Sequence, residues 1–205
     1  MAEGPERLGM ARNLVKESDL LDIAQYERAR PEIRAKVMAL KDRRRVRAGP
    51  NFMFLFENHT TILYQIQEMM RVERIVDPVA IRHEIETYNE LVPPEGGLSA
   101  TLFLEYESRE LREDVLPKLV GIENYIWLEL RGFDRIKAEF DTRQIGEGRV
   151  SSVQYLRFAL SEAQRGQWQD LGGSAGLKIV VDHPHYSHEE TLTPDTAAAL
   201  AEDLS

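Results

Sequence analysis

The sequence contains no cysteine and no long apolar segment. Without cysteine, the protein has no disulfides, thiolate nucleophiles, zinc–thiolate sites or cysteine-ligated iron–sulfur clusters. Any metal ion would have to be bound by histidine, aspartate or glutamate. No apolar run approaches the roughly 20 residues that cross a bilayer, and the first residues lack the apolar centre of a signal peptide. We therefore expect a cytoplasmic protein with no membrane partner.

Basic residues are also scarce, since 26 lysines and arginines stand against 35 aspartates and glutamates. The net charge of -9 repels a phosphate backbone, so nucleic acid is not expected as a ligand. The basic run from Arg43 to Arg47 is typical of a solvated surface patch, although it offers a contact for an anion or an acidic partner. Motifs of Gly-rich nucleotide loops and of HExxH zinc proteases are absent.

The order of predicted elements indicates an α+β fold. After a tail over residues 1–15, rich in glycine, proline and charge, residues 16–205 are predicted to form a single domain. Helices dominate its N-terminal half, and strands with short turns dominate the second half. This order favours a mainly antiparallel sheet with helices packed on it.

Capping residues predict where the helices begin. In the first half, Ser18 is expected to cap a short helix and Pro31 to open a second one. A strand over 52–56 then leads to a helix over 59–76 capped by Asn58. A further helix, opened by Asp77 and Pro78, ends near Leu91. Later helices are predicted after Ser161 and Thr193, with strands in the segments LSATLFLEY, NYIWLELRGFDRIKAEF, VSSVQYLRFAL and LKIVVDH.

The helix over 59–76 has a carboxylate within its apolar face. At about 100 degrees per residue, that face consists of Ile62, Leu63, Ile66, Met69 and Met70. Glu73 falls near its middle, whereas Tyr64 and Gln67 fall on the opposite side. Because a bare buried carboxylate is costly, Glu73 is expected to hold a partner, a metal ion or a proton. The alternative is that it turns to water at the helix end or pairs with an arginine.

A second group of candidate residues follows the last predicted strand. Asp182 to Glu189 contains His183, His185 and His188, three of the five histidines, in a predicted strand-exit loop. Closely spaced imidazoles with carboxylates suit a divalent iron, manganese or zinc ion. We therefore predict a metal site from His183, His185, His188 and Glu73. Such a metal would lower the pKa of a bound water. The alternative is that these histidines are solvated and bind no metal.

The chain resembles a bacterial family classified as a domain of unknown function, over about residues 18–204. The resemblance is carried by RRRVRAGPNFMFLFENHTTILYQIQEMMRVERI, YNELVP, LFLEY, VGIENYIWLEL and VDHPHYSHE. Members are often encoded beside rubrerythrin-like and heterodisulfide-reductase-like iron–sulfur proteins. The resemblance therefore implies a role in iron, peroxide or thiol redox metabolism. It implies no catalytic residues. Motif positions, together with Glu84, define a candidate polar site of Glu57, Gln65, Glu68, Arg71, Glu73 and Glu84.

Three functions fit these features. The first is an accessory or binding protein that docks a redox partner, either rubrerythrin-like or an iron–sulfur protein, and that forms a homodimer. The second is a metal-dependent enzyme or metal-binding protein that uses a glutamate and histidine site. The third is a structural oligomer in which Glu73 is paired and the histidines are solvated.

Overall fold

The computed structural model describes residues 13–141, 143, 146 and 148–204. Over these residues the chain forms two antiparallel sheets and six α-helices, which confirms the predicted α+β class. The helices are α1 (Ile23–Asp42), α2 (His59–Glu73), α3 (Pro78–Asn89), α4 (Arg109–Val115), α5 (Glu162–Leu171) and α6 (Pro194–Ala201). In the part of the chain described, no helix is both long and apolar enough to cross a membrane.

Nine strands make up the two sheets. They are β1 (Arg45–Ala48), β2 (Phe52–Phe56), β3 (Gly97–Leu104), β4 (Ile126–Glu129), β5 (Ile136–Lys137), β6 (Glu139–Phe140), β7 (Val153–Ala159), β8 (Lys178–His183) and β9 (Tyr186–Thr191). The first sheet has the order β1-β2-β3-β7-β6, and the second has the order β5-β4-β8-β9.

The main apolar core lies on one face of the first sheet. Because side chains alternate along a strand, Phe52, Phe54 and Phe56 all point to this inner face, where each is fully buried. They belong to one apolar cluster with residues of the second sheet, such as Leu128 and Ile179. This burial of apolar surface holds the two sheets together.

The opposite, outer face of the first sheet is polar at its centre. Strand pairing places Thr101 of β3 between Leu55 of β2 and Tyr155 of β7. Ser99 lies opposite Arg157 in the same register. Helix α3 ends over this face, since the Ser99 hydroxyl donates to the Leu91 carbonyl at 2.6 Å. The sequence therefore builds a sheet with one apolar face and one face that mixes hydroxyl and charged groups.

The first helix is longer than predicted. Instead of one helix capped by Ser18 and a second opened by Pro31, a single helix α1 runs through Pro31. Asp22 caps it by accepting a backbone N–H in the first turn at 2.8 Å. Proline removes one helical hydrogen bond. Burial of Tyr26 before it and Val37 after it holds both halves in place.

The predicted loop after His183 is wrong, because a β-hairpin occupies this region. Residues 184 and 185 form its turn, and β9 pairs with β8 so that Tyr186 lies opposite His183. Of the six residues in β9, only Tyr186 is buried. The strand lies at the sheet edge, so its sequence lacks the alternation of apolar and polar residues that would have revealed it.

Of the predicted N-terminal tail, residues 1–15, the first 12 lie outside the described residues. Val15 already belongs to the fold, because it is buried and its backbone N–H and carbonyl both bond to the Asn89 side chain at 2.9 Å. Val15 thus packs within the fold, one residue before the predicted start of the domain at Lys16.

Arg44 ties three parts of the chain together, although it is only 1% exposed. Its guanidinium donates to the carbonyls of Phe56 at 2.8 Å, Glu57 at 3.1 Å and Ala199 at 3.2 Å. It also forms an ion pair with Asp203. Burial raises the pKa of the Asp203 carboxyl, and the Arg44 charge opposes that rise. The end of β2 is therefore fixed to the C-terminal residues.

We expect Arg44→Met to lower the free energy of unfolding by about 3 kcal/mol, because it leaves Asp203 and three carbonyls buried without their donor. Urea unfolding followed by tryptophan fluorescence measures the change. Arg45→Met is the matched control at a more exposed neighbour, and it should change stability by no more than about 0.5 kcal/mol. Equal losses in both variants would contradict the role of Arg44.

Candidate functional site

A cavity of about 390 Å³ lies on the outer face of the first sheet, where α3 ends. We call it the Glu57 cavity. Sheet residues that line it are Glu57, Ser99, Ala100, Thr101, Glu139, Phe140, Tyr155, Leu156 and Arg157, and the rest of the lining is Glu90, Leu91, Asp141 and Arg143. Its walls thus combine hydroxyls, charges and aromatic rings, as small-molecule sites do.

Glu57 is the most buried charged residue of this lining, at 7% exposure. Its side chain accepts a hydrogen bond at each oxygen, from the Thr101 hydroxyl at 2.7 Å and from the Thr61 hydroxyl at 2.6 Å. The Thr61 oxygen itself accepts the Asn58 N–H at 2.9 Å, and its hydroxyl lies closer to Glu57 than to its other acceptor, the Asn58 carbonyl at 3.0 Å. Two hydroxyls from α2 and β3 therefore fix the carboxylate in one orientation.

The backbone of Glu57 is equally constrained. Its N–H donates to the Ser99 carbonyl at 2.9 Å, and its own carbonyl accepts the bond from Arg44. Glu57 stands directly between the end of β2 and Asn58, which caps α2. The side chain is therefore held from both sides of a strand-to-helix junction.

No described lysine, arginine or histidine forms an ion pair with Glu57, whose side chain bonds to the two hydroxyls. Lys41 is close enough for its charge to interact with that of Glu57. Burial lowers the pKa of the Lys41 ammonium, and Glu57 opposes this change. Across the cavity, burial raises the pKa of the Tyr155 hydroxyl, and the neighbouring Tyr88 and Glu57 add to the rise.

The other charges of the cavity are only partly neutralised among themselves. Arg143 pairs with Asp141 at 2.7 Å and with Glu90. Arg157 donates to the Glu90 backbone carbonyl at 2.5 Å. That neutral carbonyl does not cancel the Arg157 charge, but neither arginine forms an ion pair with Glu57. The four carboxylates of the lining outnumber its two guanidiniums, so the cavity carries a net negative charge.

Two members of the predicted polar site lie in a different place, between α1 and α2. Glu68 accepts the Tyr26 hydroxyl at 2.7 Å and binds Arg30 through two bonds at 2.7 and 2.9 Å. Arg71 lies at 3.5 Å from Glu68 and 3.6 Å from Glu27. The Arg30 hydrogen bond, with that from Tyr26, lowers the pKa of Glu68 to about 2. This cluster joins two helices and lies outside the Glu57 cavity.

The structure shows the alternative predicted for Glu73, a side chain turned to water at the helix end, and not a carboxylate held within the apolar face. Glu73 is exposed at the last turn of α2, and Val72 beside it is 60% exposed. Tyr64 and Gln67, placed on the opposite side by the sequence pattern, are buried. Gln67 exchanges hydrogen bonds with the Leu21 backbone, before α1, at 2.7 and 3.1 Å. The predicted apolar face of α2 stays buried and the opposite side is covered as well, so Glu73 is exposed because it stands at the last turn of the helix.

The remaining members of the polar site, Gln65 and Glu84, are half-buried, and neither lines the Glu57 cavity. Of the six residues predicted for that site, only Glu57 contributes to the cavity. The structure therefore divides the set between the cavity, the α1–α2 contact and the helix surfaces.

The predicted metal ligands are not brought together. His183 is buried, its Nδ1 accepts the His185 N–H at 3.2 Å, and its ring also bonds to the Val120 backbone. Burial lowers its pKa. His185 and His188 are exposed, and the His188 ring packs against Tyr186 at 4.7 Å. Among the described residues, no three histidine or carboxylate side chains are arranged to hold a metal ion. Glu73 does not complete such a group.

The glycine-rich segment Gly172 to Gly176 reads GGSAG, a pattern also found at the nucleophile of serine hydrolases. That chemistry requires a turn from a strand into a helix. Here the segment is a short 3-10 turn that follows α5 and precedes β8, so the order of elements is reversed. It therefore offers no support for a hydrolase.

Sequence reasoning missed most of the cavity. Thr61, Ser99, Thr101, Tyr155 and Arg157 were not predicted as site residues. A signal does exist, because Ser99 and Thr101 alternate with apolar residues in β3, as do Tyr155 and Arg157 in β7. Alternation places each pair on one face, but only the pairing of β3 with β7 brings them beside Glu57.

Comparisons with known proteins agree with the fold and name no activity. The model of the family described as "Protein of unknown function (DUF3501)" matches residues 14–204. One solved structure, a crystal structure of a novel protein of unknown function from Burkholderia pseudomallei K96243, is 37% identical to this chain. The match has a TM-score of 0.87 and covers 94% of this chain and 100% of that chain. No curated protein matches at a significant level.

The lowered pKa of Glu68 predicts a pH dependence of stability. Its stabilising effect is fully present above the unfolded value of about 4.5 and is lost as the pH falls towards about 2. We expect Glu68→Gln to cost about 2 to 3 kcal/mol of unfolding free energy at pH 7 and little at pH 2. Urea unfolding between these pH values measures the difference. The exposed Glu73→Gln variant is the control, and a matching pH profile there would contradict the assignment.

Proposed function

We propose that this chain, which belongs to the DUF3501 family of proteins of unknown function, binds a small polar molecule in the Glu57 cavity. One observation carries the proposal. A carboxylate that is 7% exposed lines a cavity of about 390 Å³ and has hydroxyl partners but no ion pair with a described residue. Burial of such a charge costs stability, and a bound ligand would offset that cost.

A purely structural role accounts poorly for Glu57. A carboxylate at this position would stabilise the start of α2 by accepting its free N–H groups. Asn58 already does so, since its side chain accepts the Thr61 N–H at 3.0 Å. Glu57 instead takes the Thr61 and Thr101 hydroxyls. These contacts orient its carboxylate, which is the arrangement expected for a group that recognises a ligand.

The same geometry permits chemistry on a bound molecule. A carboxylate held in one orientation can accept a proton from a ligand. We propose binding as the function and acid–base catalysis as an extension of it. A metal-dependent reaction is not part of this proposal, because the described residues lack a set of ligands.

Docking of a protein partner is a second candidate function, favoured by an exposed apolar corner between α2 and α3. Val72, Val76 and Val79 are 60%, 72% and 65% exposed. Apolar side chains this exposed are common at interaction sites. A rubrerythrin-like or iron–sulfur partner, a homodimer and a cytoplasmic location, which the family resemblance and the sequence led us to expect, stay predictions.

Replacing Glu57 by glutamine should abolish the proposed binding without destabilising the protein. We expect Glu57→Gln to leave the free energy of unfolding unchanged or to raise it by up to about 1 kcal/mol, because a buried charge is removed while the shape is kept. The same change should abolish binding of those small polar compounds that raise the melting temperature of the wild type in a thermal-shift screen.

The control for this experiment is Glu73→Gln, which removes an equal charge from the protein surface. It should keep every compound that the wild type binds. If Glu57→Gln lowers stability by more than about 2 kcal/mol and no compound depends on Glu57, its role is structural and the proposed function is wrong.

A further inference from the structure

We infer that the group recognised by Glu57 is a primary ammonium group carried by a small organic cation. This inference rests on the proposed binding function and adds the chemical class of the ligand. It is drawn from the unused acceptor sites of Glu57, the charge of the cavity and the nature of its walls.

The Glu57 carboxylate has unused positions for accepting hydrogen bonds. A carboxylate has about four acceptor positions on its two oxygens. In Glu57 one position on each oxygen is used, by Thr101 and by Thr61. The remaining positions have no partner among the hydrogen bonds of the described residues, and Glu57 lines the cavity. An ammonium group brings three donors and a positive charge, so it satisfies both needs at once.

The cavity lining carries more negative than positive side chains. Four carboxylates line the cavity, Glu57, Glu90, Glu139 and Asp141, against the two guanidiniums of Arg143 and Arg157. Arg143 pairs with Asp141 and Glu90. An anionic ligand would meet the unpaired charge of Glu57, while a neutral ligand would leave that charge uncompensated. A cation is therefore the ligand that gains most from this site.

The walls and the size of the cavity suit a small organic cation. Phe140 and Tyr155 line it together with Leu91 and Leu156. Aromatic faces attract organic cations, and the aliphatic side chains suit a short carbon chain. A volume of about 390 Å³ accommodates a small metabolite but no macromolecule. A bare divalent ion requires several oxygen ligands around it. Among the described residues, no three histidine or carboxylate side chains are arranged to hold one.

Three four-carbon probes that differ in charge test the inference: 1,4-diaminobutane, 1,4-butanediol and succinate. Each is titrated into the wild type by isothermal calorimetry, and amide chemical shifts locate the binding site. We expect only the diamine to bind and to shift the resonances of residues around Glu57. Glu57→Gln should weaken its binding about 10- to 100-fold, the effect of losing a charged hydrogen bond.

Two further variants control the result. Glu73→Gln removes an exposed charge and should leave the affinity for the diamine unchanged. Thr101→Val keeps the Glu57 charge but removes one of the hydroxyls that orient it. We expect a smaller loss for this variant, about 3- to 10-fold, so the inference stays testable even if Glu57→Gln fails to fold.

The outcomes distinguish this inference from the proposed function. If the diol or succinate binds in the cavity and depends on Glu57 while the diamine does not bind, the binding function stands and the ammonium inference is overturned. Diamine binding that is equal in the wild type and Glu57→Gln also overturns it, because attraction to the acidic surface then explains the signal. If none of the three probes, and no compound of the thermal-shift screen, binds in the cavity, both are overturned.

Discussion

The burial of Glu57 at the junction of β2 and α2 is the constraint on which the rest of the site depends. Its carboxylate is taken out of water but keeps two hydroxyl partners, so its orientation is fixed while its charge lacks an ion-pair partner among the described residues. Arg44 fixes the same junction by donating to the carbonyls of Phe56 and Glu57 and by pairing with Asp203 near the C-terminal end of the described chain. The buried ion pair of Arg44 with Asp203 thus helps to position Glu57, whose carboxylate has no ion-pair partner among the described residues.

The two faces of the first sheet have different roles: the inner face stabilises the domain, and the outer face carries the proposed binding site. Its inner face is apolar and packs on the second sheet, which supplies most of the burial that stabilises the domain. Its outer face carries Ser99, Thr101 and Tyr155 at positions that a purely structural sheet would fill with apolar residues. The segment that follows α3 lies over this face beside the cavity. A local departure from apolar patterning is typical of a functional surface.

Local signals in the sequence predict much of the fold but little of the site. Asn58 and Asp77 cap their helices as expected, because capping depends on neighbouring residues alone. Glu73 falls on the buried face of α2 but is exposed because it is the last residue of the helix, and periodicity does not report where the cover of a helix ends. Glu57 directly follows a strand, as predicted. Its partner Thr101 lies 44 residues away, and only strand pairing joins them.

A crystal structure of the protein with 1,4-diaminobutane tests the central claim most directly, namely that Glu57 is held for a cationic ligand. The account predicts an amine nitrogen at about 2.8 Å from a Glu57 oxygen, with both threonine hydroxyls still bound to the carboxylate. A Glu57 side chain that instead pairs with Lys41, with the diamine absent from the cavity, would show that the protein satisfies this charge itself and would contradict the account.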